Sequence, residues 1–331
     1  MNAVTPSPAR RLRPASRSVL ARTFRRNVPA RIGAVLIGLY LAVALLAPVL
    51  APPQGNCRRA LNLTETQTVP GPVAYLRELV IPPDACLQMP RQGFAAQPRP
   101  PAPDTPLGSV NGYDILYGLV WGTRTAFFLG VTVVAITVAL GGLIGLAAGF
   151  FGGLLDDVLM RLTDVTFAFP GLILVLVLVA ALGPGLQNII IALSLVSWAG
   201  LARLLRSEVL RLRELDYVSA ARGLGSRQMR IALRHVLPNA LGPVLSIVVL
   251  EMGSLPIVAG ALSFLGLGTP LGFADWGQLI ALAQKWIQGP PGQPFAYWYV
   301  TLFPGLCIAL YSLGWNLLGD ALGEQLDPRN R

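Results

Sequence analysis

Residues 216–239 read DYVSAARGLGSRQMRIALRHVLPN. This is the most polar, arginine-dense stretch after the N-terminal tail, and it separates two long apolar runs. It holds Arg222, Arg227, Arg230 and Arg234, and Arg203, Arg206, Arg211 and Arg213 stand just before it, interspersed with Glu208, Glu214 and Asp216. Orienting the flanking spans needs only about two or three such cations, so the stretch reads as a charge-patterned surface. Tyr217, Val218, Ala221 and Leu224 share one side of a short helix that Asp216, or a residue just before it, would cap. Ser219 and Arg222 fall within that helix. Ala220, Ala221, Gly223 and Gly225 are small and let a partner approach the backbone, and Gly225 suits a helix C-terminal turn. A second helix, 227–235, leads to Leu237 and Pro238, where the proline opens the next apolar helix. A short helix on an arginine-rich arm is a shape for docking into another protein's cleft.

The rest of the chain is mostly apolar. It is 53% hydrophobic and only 13% charged, against roughly 25% charged in soluble domains, so it has a membrane composition. Net charge is +10, with Lys285 the single lysine. The arginines flank apolar runs, as the positive-inside rule expects, and no basic patch interleaves with aromatics, so nucleic acid is not an expected partner. Three cysteines and one histidine do not make a multi-ligand metal site.

Read in order, residues 1–31 form an arginine-rich cytoplasmic tail, and 32–50 form a first span. Residues 51–114 form a proline-rich extracytoplasmic segment, either a small cap, a docking surface or an irregular loop. Cys57 and Cys86 lie in it. A bond between them would close a loop of about 30 residues, worth about 3–4 kcal/mol, but spacing alone leaves both the bonded and the free-thiol readings open. An interfacial helix near 113–123 places Tyr113, Tyr117 and Trp121 at headgroup level. Span two is 126–151, with Gly141, Gly142, Gly145 and Gly149 giving small-xxx-small packing. A short inside loop, 152–164, carries Asp156, Asp157 and Arg161. Span three is 165–182 with Pro170 near its start, and Gly183 to Gly185 make a turn. Span four is 188–205, interrupted at Trp198 and Gly200.

Span five, 241–265, contains Glu251. An acid there is either a pathway or gating group or a hydrogen-bonded member of the bundle, and the residues leave both open. Residues 266–294 form a second outside segment, Phe295, Tyr297, Trp298 and Tyr299 an aromatic girdle, and 300–318 span six. The expected fold is an all-α membrane protein of six transmembrane helices with both termini cytoplasmic. Its five-helix core covers 115–331 and includes the loop 206–239.

The polar loop resembles the EAA loop of ABC importer permeases, whose pattern is Glu-Ala-Ala, three residues, Gly, nine residues, Ile, one residue, Leu-Pro. Ala220, Ala221, Gly225, Leu237 and Pro238 match at that spacing, while Ser219 replaces the usual Glu and His235 the usual Ile. The wording DYVSAARGLG…LRHVLPNA resembles the dipeptide/oligopeptide branch. PLGSVNGYDILYGLVWGTR (106–124), SFLGLGTPLGFADWGQLI (263–280) and PGLCIALYSLGWNLLGDALGEQLDPR (304–329) agree with that branch.

The resemblance implies a type I importer bundle in a bacterial or archaeal inner membrane. Its partners would be a second permease subunit, two cytoplasmic ATPases that receive residues 216–225 and 237–238, and an extracytoplasmic substrate-binding protein. Di- or oligopeptides are the implied cargo, with nickel or another small solute as the alternative. The chain carries no GxxxxGK[ST] phosphate loop, so ATP hydrolysis is expected in separate subunits and no cofactor is expected here. An intramembrane enzyme fails on inventory, because HExxH and GxSxG are both missing. A stand-alone secondary transporter has only Glu251 in its favour.

Overall fold

The computed structural model describes residues 27–63, 84–91, 93 and 97–326. Most of the arginine tail, the middle of the proline-rich segment and the last residues of the C-terminal signature lie outside that set.

Helix α1 (Val28–Leu45) starts earlier than the apolar run suggested. Asn27 accepts a hydrogen bond from the Ala30 amide at 3.3 Å, and Pro29 sits in the first turn, a cap-and-proline start. A short turn, α2 (Ala47–Leu50), completes the run. Helix α3 (Gly55–Ala60) follows. Cys57 is bonded to Cys86, with Cα atoms 4.3 Å apart. Beyond Cys86 the chain pairs across elements, Gln88 with Phe273, Arg91 with Tyr113 and Arg99 with Ser109. The described parts of 51–114 therefore form a packed cap.

Strands β1 (Ser109–Val110) and β2 (Tyr113–Asp114) form a hairpin around Asn111 and Gly112, both at positive φ (51° and 81°). That is the Asn-Gly turn whose twist suits paired strands. Asp114 then caps α4 (Ile115–Phe151), accepting from the Leu116 and Tyr117 amides. The predicted interfacial helix and second span are this one helix of 37 residues, about 55 Å long at 1.5 Å per residue. Tyr113, Tyr117 and Trp121 are covered by protein rather than exposed. All three are buried under the cap. Tyr117 Oη donates to the Cys86 carbonyl at 3.0 Å and Trp121 Nε1 to the Ala51 carbonyl at 3.0 Å. The protein supplies the polar partners that a headgroup would otherwise provide.

The expected inside loop after α4 is instead helix α5 (Gly153–Phe167). Helix α6 (Gly171–Leu182) follows at 84° to it. Pro170 stands between them as the N-cap residue of α6, so span three is not a kinked continuous helix. Twelve residues of α6 reach only about 18 Å, short of the roughly 30 Å core. Helix α7 (Leu186–Arg213) runs through Trp198 and Gly200 without interruption. It lies along α4, where a Cβ on Gly145 would stand 2.5 Å from the Ala202 carbonyl oxygen. Only glycine allows that approach.

After the polar loop, which contains α8 (Asp216–Gly223), α9 (Gln228–Ile231) and a π-helical turn (Ala232–Val236), comes α10 (Leu237–Phe264). Pro243 and Pro256 lie inside α10. The second outside segment is packed rather than open: it contains α11 (Trp276–Ala283), with Trp276 fully buried. Helix α12 (Trp298–Leu326) closes the chain. Tyr40 Oη of α1 donates to the Cys307 carbonyl of α12 at 2.8 Å. Of the expected girdle, Phe295 and Trp298 are exposed, whereas Tyr299 is buried and Tyr297 Oη donates to Gln97.

Among the described residues five helices are long and apolar enough to cross a membrane, and the bent pair α5–α6 makes a sixth if it counts as one span. One end of the bundle carries the disulfide and the cap; the other carries the arginine-rich loop. Asn27, before α1, donates to Glu324, near the end of α12, at 3.3 Å, so both described chain ends sit together.

Candidate functional site

The arginine-rich end is built on α7. Arg206 holds both carboxylate oxygens of Asp156 on α5, at 2.5 and 2.7 Å. Arg203 holds Asp164 at 2.6 Å and lies 4.4 Å from the Phe167 ring centroid. Arg213 Nη1 donates to the Gly149 carbonyl at 2.8 Å and its Nε to Glu214, while Arg211 pairs with Glu208. Arg203, Arg206 and Arg213 thus fasten α7 to α5 and α4, while Arg211 pairs within α7.

Helix α8 hangs from this frame. Its cap position is Leu215, with no side-chain cap bond, so Asp216 does not cap it and is instead an exposed first-turn residue. The Leu215 carbonyl takes up the Val218 amide at 2.9 Å. At the far end the Gly225 amide donates to the Arg222 carbonyl and the Ser226 amide to the Ala221 carbonyl, with Gly225 at φ +77°. That paired pattern is a Schellman end, which requires a left-handed residue.

Val218 does not point outward. It is completely buried, packed with Val209, Leu212, Ile231, Val236 and Ala240, and Tyr217, Ala221 and Leu237 lean on the same cluster. Burial raises the pKa of the Tyr217 hydroxyl. The predicted common side of Tyr217, Val218, Ala221 and Leu224 therefore splits. The first three face the chain's own core, while Leu224 ends α8 pointing away, 87% exposed. Ser219, Ala220, Arg222, Gly223 and Gly225 are exposed beside it, and Pro238 is exposed at the start of α10. Arg222, Arg227, Arg230 and Arg234 are also exposed, and none forms an ion pair among the described residues. Met229 and Leu233 add apolar surface nearby. The loop thus ends in an apolar tip ringed by exposed arginines.

Glu251 lies half-buried on α10, away from this end, near Ser197 of α7. No group of three or more His, Cys, Asp or Glu side chains placed to hold a metal ion occurs among the described residues.

Two features escaped the sequence reading. The spacing of Leu154, Val158, Leu162 and Val165 signals helix α5. Asp275, with Gln278 three residues on, is a capping signature for α11. Its carboxylate accepts from Ser263, Thr269 and the Gln278 amide, and burial pushes its pKa up against those bonds.

Helices long and apolar enough to cross a bilayer, joined by a folded arginine-rich loop, define a multi-span membrane protein. The chain belongs to the family of binding-protein-dependent transport system inner membrane components, which matches residues 141–331. Residues 18–65 match the N-terminal TM domain of oligopeptide transport permease C. The chain is 38% identical over 218 residues to the dipeptide transport system permease protein DppC of Alkalihalophilus pseudofirmus, covering 66% of this chain and 69% of that one. It is 38% identical over 232 residues to a putative peptide transport system permease protein of Brucella suis, covering 70% and 76%. Against the oligopeptide transport system permease protein OppC of Bacillus subtilis it is 29% identical over 309 residues, covering 93% and 88%.

Proposed function

We propose that this chain is one permease subunit of an ATP-driven importer of di- or oligopeptides. It pairs with a sibling permease to enclose the path. The arginine-rich end faces the cytoplasm and two ATPase subunits, and the disulfide end faces a substrate-binding protein outside. Six crossings with α5–α6 as the broken one, and both termini cytoplasmic, follow from that orientation. Exposed arginines at one end and a disulfide-bonded cap at the other support it. The peptide assignment rests on the relatives, whose names specify dipeptide and oligopeptide transport.

The observation that carries the coupling role is the outer face of α8, where Leu224 stands exposed beside small residues and four exposed arginines that form no ion pair among the described residues. An ATPase cleft receives that tip, and the buried Val218 cluster passes its displacement to α7 and α10 as a rigid body. Ser219 leaves no carboxylate at the position where this loop type usually has one. Apolar insertion and arginine contacts supply the docking instead. Glu251 and Ser197 form a polar point on the path side of α7 and α10.

Zero-length and short thiol cross-linking tests this. With Leu224→Cys and cysteines placed in the ATPase cleft, cross-links form in the assembled complex and their yield changes with ATP. Cross-linking to the substrate-binding protein instead would reverse the orientation.

A further inference from the structure

Helix α9, the π-helical turn and α10 run on as one helical stretch from Gln228 to Phe264, and the wide turn has a local cause. Pro238 carries no N–H, so the Arg234 carbonyl four residues back has no donor in the α register, and the proline ring would press on it. The chain takes in one extra residue instead: the Leu237 amide donates to the Ala232 carbonyl, five residues back. Single wide turns of this kind inside helices are frequent at functional sites. This one is the floor under α8. Val218 packs in one cluster with Ile231, Ala232, Val236 and Ala240, so a push on the docking helix lands on the turn.

Asn239 stands at the exit of the turn, and its side-chain amide donates to the His235 carbonyl at 2.6 Å. That bond braces the widened turn from outside. On the α8 side, the Tyr217 hydroxyl is buried with no hydrogen-bond partner among the described residues, and Asn239 is the polar side chain beside it. A buried hydroxyl without a partner raises the free energy of the state that leaves it so. The asparagine amide has two N–H donors and a carbonyl acceptor, and the His235 carbonyl uses one donor. A small inward shift of α8 therefore has a bond waiting for it.

We propose that Asn239 is a positioning residue of the coupling joint: when α8 is pressed inward, its amide keeps the His235 carbonyl and takes up the Tyr217 hydroxyl, tying the docking helix to α10 in that state alone. A bond made in one state and not in the other shifts the balance between them. The latch rests on the reading of α8 as the ATPase-docking helix and adds the residues of this chain that hold the pushed state.

The test uses the complete complex of permeases, ATPases and binding protein in liposomes. Removing an unpartnered hydroxyl costs this state nothing, so Tyr217→Phe unfolds at or above the wild-type temperature without nucleotide. Dipeptide uptake per ATP hydrolysed nevertheless falls about two- to tenfold, the loss of one hydrogen bond. Asn239→Ala lowers the same ratio, and adding Tyr217→Phe to it lowers the ratio no further. A hydroxyl that is merely packed leaves the ratio unchanged. Amide exchange over residues 232–240 gives a second readout: it slows in the vanadate-trapped wild-type complex and slows less in Tyr217→Phe. A wild-type ratio in Tyr217→Phe, or no slowing in the wild type, overturns the latch. If the wild type still shows ATP-driven uptake, the coupling reading survives that result. Slowing that depends on Tyr217, without any ATP-driven uptake, would keep the latch and sink the transport reading.

Discussion

The Arg206 guanidinium on α7 grips both oxygens of Asp156 on α5, at 2.5 and 2.7 Å. This pair joins the helix from which the polar loop hangs to a helix lying across the same end of the bundle. Asp156 is largely buried and Arg206 about one-third exposed, so the pair sits between the surface and interior regimes. Removing one partner is expected to cost about 1–2 kcal/mol, measured by a double-mutant cycle of Asp156→Ala and Arg206→Ala in detergent unfolding.

The α4–α7 seam separates two neighbouring glycines. A Cβ on Gly145 meets the Ala202 carbonyl oxygen at 2.5 Å, whereas one on Gly142 meets nothing within 4 Å. Gly145→Ala is expected to destabilise by about 1–3 kcal/mol, the usual range for overpacking. Gly142→Ala is expected to be neutral or to stabilise by up to about 1 kcal/mol through helix propensity. Thermal unfolding of the two purified variants separates these outcomes.

Gly225 sits at φ +77° with open space around it, so the constraint is the backbone and not volume. Gly225→Val is expected to cost about 1–2 kcal/mol at this turn and to misplace Leu224. Gly225→Asn, which tolerates the left-handed region, keeps the turn. ATP hydrolysis and uptake measured together should show Gly225→Val hydrolysing ATP with reduced transport and Gly225→Asn close to wild type.

Cys57 and Cys86 are 29 residues apart. Closing a loop of that size stabilises by about 3–4 kcal/mol in the chain-entropy model. The Cys57→Ser/Cys86→Ser variant is expected to lose stability on that scale and to expose the cap to proteolysis first, followed by mass spectrometry of the fragments.

The long apolar helices were legible because composition and run length dominate in lipid, and the short helix in the polar loop with its glycine end was legible from spacing. Three features were not. Tyr117 and Trp121 look interfacial in sequence, and their burial depends on a cap whose fold comes from a disulfide and cross-element pairing. Pro170 marks a break, but whether a helix kinks or turns by 84° is set by the packing of α5 on α4 and α7. Val218 and Leu224 read as members of one apolar side, and the segment carrying Ile231 and Val236 packs over Val218 while Leu224, at the end of α8, is left outside the cluster.

The central claim is that the exposed tip of α8 transmits ATP-driven motion. The most direct measurement is ATP-dependent dipeptide uptake and ATP hydrolysis in liposomes holding the complete complex and its binding protein, with Leu224→Asp compared to wild type. Burying a carboxylate in an apolar cleft costs several kcal/mol, so uptake falls by at least about tenfold while the ATPase subunits still hydrolyse ATP. Uptake at the wild-type rate with Leu224→Asp would contradict the account.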